Sequence, residues 1–140
     1  MSFQIDLNLP DIETLGFRIN ECGEYHIEVR STKNSCLCKN CCSEIDQFHG
    51  YDEAILLRHL SILGKKTFLE LRPKRFVCNH CSGHPTTTQV LSWYTIRCST
   101  TYEYEKHLLN HLVNSTIRDI EIKEKIEYET IVRIINQYFP

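Results

Sequence analysis

The sequence predicts an α+β chain built in small units, and three observations predict it. Apolar and polar residues alternate over 15–31, two C-x-x-C pairs bracket a further extended segment, and after Ser99 apolar residues recur at three- and four-residue steps. The expected boundaries are 1–32 for a β-hairpin, 33–98 for a cysteine-organised unit and 99–140 for a helical unit. A chain of 140 residues can form one ordinary domain or two or three very small ones. The change of character along its length favours the second.

Phe17, Ile19, Tyr25, Ile27 and Val29 carry the first alternation, and the turn-forming Glu21-Cys22-Gly23-Glu24 lies between them. Residues 33–50 are polar and cysteine-dense, as expected of a loop organised by a metal. Residues 55–63 and 66–77 read as two extended segments around Leu63-Gly64-Lys65. Phe68, Glu70 and Arg72 alternate there with Thr67, Leu69 and Leu71, and Pro73 suits a strand end.

The helical part begins with Tyr104, Leu108, Leu109, Leu112 and Val113 on one face. Asn114-Ser115-Thr116 breaks this pattern and offers an N-cap for a second helix, lined by Ile117, Ile120 and the aliphatic part of Glu124. A turn at Lys125-Ile126-Glu127 leads to a third helix with Ile131, Ile134, Ile135 and Tyr138 on its inner face.

Cys38-Lys-Asn-Cys41 and Cys78-Asn-His-Cys81 can place four thiolates around one tetrahedral zinc, because each short loop bends far enough for both sulfurs to reach the same ion. Zn2+ is therefore the expected cofactor, with Cys38, Cys41, Cys78 and Cys81 as ligands. A zinc ribbon this small buries too little apolar surface to fold unaided, so the metal supplies much of its stability. Cys36 and Cys42 are expected to be spare thiols, and Cys22 and Cys98 small buried hydrophobes. His49, His80 and His84 are not needed once two complete pairs are present.

A redox dithiol would sit at a helix N-terminus in a βαβ setting, which neither motif has. His107-x-x-x-His111 has the spacing of a helical zinc-protease pair, but Leu108 stands where the general-base Glu is required, which excludes that enzyme. Met1-Ser2-Phe3-Gln4-Ile5-Asp6 shows neither a basic region nor an apolar run, and no stretch approaches the roughly 20 apolar residues of a membrane span. A cytoplasmic location with reduced thiols is the expectation.

The net charge of −2 does not advertise a nucleic-acid binder, but its distribution is uneven. Residues 1–53 carry four basic and ten acidic side chains. Residues 54–76 carry Arg58, Lys65, Lys66, Arg72, Lys74 and Arg75 against Glu70 alone. Those six are expected to contact phosphates from a hairpin clamped between the knuckles. Residues 117–135 have the rhythm of a helix-turn-helix, with Ile126 as an apolar plug, and Tyr128, Glu129, Thr130, Arg133 and Asn136 would meet a major groove. Glu121 stands where a small residue usually lets the helices approach, and Lys125 where glycine usually makes the turn. A plain three-helix packing unit is the alternative.

The order Cys38-x-x-Cys41, His49-Gly50-Tyr51, the Leu-Gly-Lys hairpin, Arg75-Phe76-x-Cys78-x-x-Cys81 and a helix-turn-helix resembles the N-terminal part of bacterial ISL-three-type insertion-sequence transposases. The resemblance spans residues 15–140, is most specific in the finger, and departs from the family at Cys42-Ser43 and over Gly83-His84-Pro85-Thr86. It implies recognition of double-stranded DNA at transposon terminal repeats, alone or as a homodimer, with no membrane and no small-molecule substrate as partner. It carries over no catalytic carboxylates, so the expected protein is not an enzyme but a truncated or split transposase, or a standalone binder derived from one. A protein–protein interaction or regulatory zinc-ribbon module is the rival reading.

Overall fold

A computed structural model describes residues 7–140, and the segment Met1–Asp6 lies outside the described residues. The chain is mixed α+β. Strands β1 (Ile12–Ile19), β2 (Tyr25–Ser31), β6 (Ile55–Ile62) and β7 (Lys65–Leu71) form a sheet in the order β1-β2-β7-β6. Short strands β3 (Cys36–Leu37) and β4 (Glu44–Ile45) pair with each other. Strands β5 (Gln47–Tyr51), β8 (Lys74–Val77) and β9 (Thr86–Thr88) make a third sheet.

The first alternation forms the expected antiparallel hairpin, with Phe17 opposite Ile27 and Ile19 opposite Tyr25. The second hairpin closes through Leu63 and Gly64, both at positive φ (52° and 74°). That is the turn geometry whose twist matches two flanking antiparallel strands. Thr67, Leu69 and Leu71 are buried while Phe68 and Glu70 are half-buried, as the period of two requires.

Two expectations need correction. The 66–77 segment is not one strand: it breaks at Arg72-Pro73, and β7 and β8 enter different sheets. Proline has no N–H to donate to a ladder and pins its own φ, so the chain turns there. The β6–β7 hairpin is also not clamped by the knuckles. β7 pairs in parallel with β2, Ile27 beside Leu69 and Val29 beside Leu71, so the boundary expected near residue 32 cuts through one sheet. Burial explains the choice. Ile27, Val29, Leu57, Leu69 and Leu71 share one face, which Leu91, Trp93 and Tyr94 cover from the segment before the helices. Split at residue 32, neither half could bury that face.

Helices α1 (Tyr102–Leu112), α2 (Ile117–Glu124) and α3 (Tyr128–Tyr138) enclose a second core of Tyr104, Leu108, Ile120, Ile131 and Ile134. Thr116 caps α2 as the sequence indicates. Its hydroxyl accepts from the Asp119 N–H at 3.1 Å, and the Asp119 carboxylate accepts the Thr116 N–H. Lys125 ends α2 at φ 53°, the left-handed conformation that favours glycine, and Ile126 packs on the helical core.

The buried Glu105 carboxylate joins α1 to α3 and to the preceding loop. It accepts from Thr100 at 2.7 Å and from Gln137 and the Tyr138 hydroxyl at 3.1 Å. Burial, reinforced by the Glu105 charge, pushes the Tyr138 phenol up to about 12. No helix among the described residues is long and apolar enough to cross a membrane.

Candidate metal centre and the basic residues

The two knuckles meet although 36 residues separate them in sequence. In the first, the Cys38 N–H donates to the Ser43 carbonyl at 2.8 Å and the Cys42 N–H to the Cys38 carbonyl at 2.9 Å, which closes a turn around Lys39 and Asn40. Cys42 adopts φ 60°, so this is the position where glycine would relax the loop. In the second, the Cys78 N–H donates to the Pro85 carbonyl at 2.9 Å and the His84 N–H to the Cys81 carbonyl at 3.2 Å. Cys78 directly follows β8, whose Phe76 packs with Ile45, Cys38 and Cys78 in a small third core. The buried Gln89 side chain donates to the Lys33 and Ser35 carbonyls at 3.2 and 2.9 Å and ties the first knuckle's approach to the strand that follows the second.

The four sulfurs lie within 4.8 Å of one another, with Cys38–Cys81 at 3.9 Å and Cys41–Cys78 at 3.7 Å. A tetrahedron with Zn–S of about 2.3 Å has edges of about 3.8 Å, so the thiols already stand at the spacing of a closed tetrathiolate shell. Their protonation is uneven. Donation from the Ser43 hydroxyl and N–H pulls the Cys41 thiol down to about 6, while its shared proton with Cys41 pushes Cys81 up to about 12. The Cys41 and Asn40 N–H groups lower Cys38. A divalent ion replacing these protons would release them on binding.

Cys36 sits half-buried in β3 outside the cluster, where burial raises its thiol, and Cys42 is exposed. Cys22 corrects an expectation: it is exposed in the β1–β2 turn, not a buried hydrophobe, whereas Cys98 is half-buried. His49, His80 and His84 are exposed, and none of them belongs to the group of four sulfurs.

The basic residues do not form the single cationic finger expected between the knuckles. Arg58 is buried in β6, its Nη2 3.4 Å from the Glu124 carboxylate and its guanidinium 4.8 Å above the Tyr104 ring. It locks the first sheet to the helices and faces no solvent. Lys65 and Lys66 stand at the hairpin turn, at the opposite end of β7 from Arg72. Lys65 is exposed, but Lys66 pairs with Glu24 at 3.6 Å and donates to the Lys125 carbonyl at 3.3 Å.

Arg72 is exposed beside the Tyr51 ring. Lys74 donates to the Lys33 carbonyl and to Asn34, and Arg75 to the Thr86 hydroxyl at 2.6 Å. Both are half-buried. On α3, Tyr128, Glu129 and Asn136 are exposed and Thr130 is half-buried. Arg133 turns inward instead, donating to Thr100 at 2.9 Å and to the Cys98 sulfur at 3.5 Å, because that loop packs beside its helix.

The structure also assembles a group that sequence spacing alone left incomplete. His107 and His111 of α1 stand against Glu124 of α2 with all three ligating atoms within 4.8 Å. The signal available was the four-residue histidine step, while Glu124, 13 residues beyond His111, reaches it only through the packing of two helices. No family model, characterised protein or solved structure matches this chain.

Proposed function

We propose that this chain is a zinc-stabilised DNA-binding module, of the kind that recognises transposon ends in ISL-three-type transposases. The observation that carries the reading is the convergence of Cys38, Cys41, Cys78 and Cys81 at tetrahedral spacing, from two knuckles in the order that the family resemblance supplies. A closed four-sulfur shell has no open position for substrate or water, so its zinc organises structure and performs no chemistry. Sulfur donors at this spacing favour zinc over the harder magnesium or calcium.

The DNA contacts fall to the basic residues that reach solvent. Lys65 and Arg72 are exposed, and Lys66, Lys74 and Arg75 are half-buried with donors left to offer phosphates. The exposed Tyr128, Glu129 and Asn136 of α3 supply a polar helix face for base edges, and the αL turn at Lys125 with Ile126 tucked beneath it supports a helix-turn-helix between α2 and α3. The test is a gel-shift salt titration on an element's terminal repeat and on scrambled DNA of equal length. Preferential binding to the repeat is expected. Arg72→Gln and Lys65→Gln should each flatten the salt slope of log affinity by about one unit, since each removes one cation that neutralises a phosphate. Equal affinity for both DNAs would remove the recognition role.

A protein-interaction module is the second reading, favoured by the exposed apolar row Leu15, Phe17 and Ile19 on the edge strand β1 and by the acidic balance of residues 1–53. In that case sedimentation shows a stable oligomer and Arg72→Glu leaves function untouched.

A further inference from the structure

We propose that His107, His111 and Glu124 form a second divalent-metal site, separate from the cysteine cluster, which clips α1 to α2. Residues four apart on a helix project from one face, and the rings of His107 and His111 lie 4.4 Å apart accordingly. Glu124, the last residue of α2, brings its carboxylate to 2.8 Å from His107 Nε2. The group is therefore three side chains from two elements, with ligating atoms within 4.8 Å of one another.

The carboxylate is held in place independently of the histidines. Its other oxygen receives Arg58 Nη2 at 3.4 Å from inside the protein, and the Glu124 side chain keeps only 10% of its exposure. An outer partner of this kind fixes a ligating carboxylate and leaves its first oxygen directed at the metal position. A tetrahedral ion bound at about 2.0–2.1 Å would space its N and O ligands by about 3.4 Å. Small rotations of the two half-buried imidazoles bring the group to that spacing, and the direct His107–Glu124 bond gives way to the ion.

The surroundings select among metals. Arg58, Lys66, Lys123 and Lys125 line the adjoining cavity of about 280 Å³, so a hard cation that relies on carboxylate charge is disfavoured there. Two imidazole nitrogens beside one carboxylate suit zinc, nickel or copper better than an oxygen-seeking hard cation. Lys66 is already engaged by Glu24 and by the Lys125 carbonyl, so its charge is partly answered. Three protein ligands leave a fourth position, open to this cavity, for water.

The experiment adds Co2+ to full-length protein whose cysteine site is already filled with zinc. One further equivalent is expected to bind with visible ligand-field absorption and no sulfur-to-metal charge transfer, and to raise the thermal transition. His111→Ala removes one ligand at a residue whose ring packs against its partner histidine, and His107→Gln keeps a hydrogen-bond donor for Glu124 while removing an imidazole. Both variants should keep the helical circular dichroism and weaken Co2+ binding about tenfold or more, at least the loss that follows removal of a supporting partner. Absence of a further equivalent, unchanged affinity in both variants, or charge transfer showing Co2+ in the cysteine site would each overturn the proposal.

Discussion

Arg58→Met separates two roles for a residue that sequence position alone assigns to DNA. If Arg58 contacted phosphate, its removal would weaken binding and leave stability near the wild-type value. The structure places it between the first sheet and the helices, with side-chain exposures of 7% for Arg58 and 10% for Glu124. Breaking a buried pair by removing one partner costs about 3–5 kcal/mol, because the other charge stays desolvated. Glu124 keeps His107 at 2.8 Å, which favours the low end of that range, while removing the cation stacked on Tyr104 adds about 1 kcal/mol. Methionine retains most of the apolar stem, so little cavity cost enters. The expected destabilisation is about 3–4 kcal/mol.

With a urea slope of about 2 kcal/mol per molar, the midpoint should fall by roughly 1.5–2 M at an unchanged slope. Arg58→Met combined with Glu124→Leu should recover most of it, since an apolar pair of similar volume is often neutral or better. Arg58 Nε, which finds no acceptor among the described residues, would no longer be buried at a cost. An unmoved midpoint together with weakened DNA binding would refute the structural assignment.

Cys78→Ser should release the metal and unfold the knuckle region, read by metal content and a diminished near-ultraviolet signal, whereas Cys22→Ser in the exposed turn should be nearly silent; equal effects would unseat the ligand assignment. Lys125→Gly should raise stability by about 1 kcal/mol, measured by urea denaturation, because the left-handed φ of 53° strains any residue with a Cβ while the carbonyl that Lys66 uses is retained. His59 is buried and bonded to Thr101 at 2.8 Å, and desolvation lowers its pKa. The unfolded chain therefore binds that proton more readily: its contribution to stability is complete above about pH 6.5 and is lost as pH falls below that value towards the depressed folded one. Wild type should lose stability more steeply on acidification over this range than His59→Asn, and parallel curves would contradict the assignment.

Local signals were legible wherever a short stretch of chain carries its own physics. The period of two over 15–31, the C-x-x-C knuckles, the Thr116 cap and the Lys125 turn all follow from bonds made within a few residues. Charge read along the sequence misled, because a run of basic residues says nothing about which way each side chain faces. In β6 and β7 the pleat sends neighbours to opposite sides: Leu57 joins the apolar core, and Arg58 lies beside Phe68 on the other face, where Glu124 from a distant helix covers and balances it.

The sequence by itself determined the two cysteine knuckles, the two hairpins and the three helices, because those rest on local spacing and hydrophobic period. Tertiary packing alone decided that β7 leaves the knuckles to pair with β2, that Arg58 and Arg133 turn inward, and that Glu124 meets His107 and His111. Each of those outcomes joins residues far apart in the chain. Burial of a shared apolar face sets the first and pairing with polar partners from distant segments sets the others, and no short window of sequence contains both sides of either.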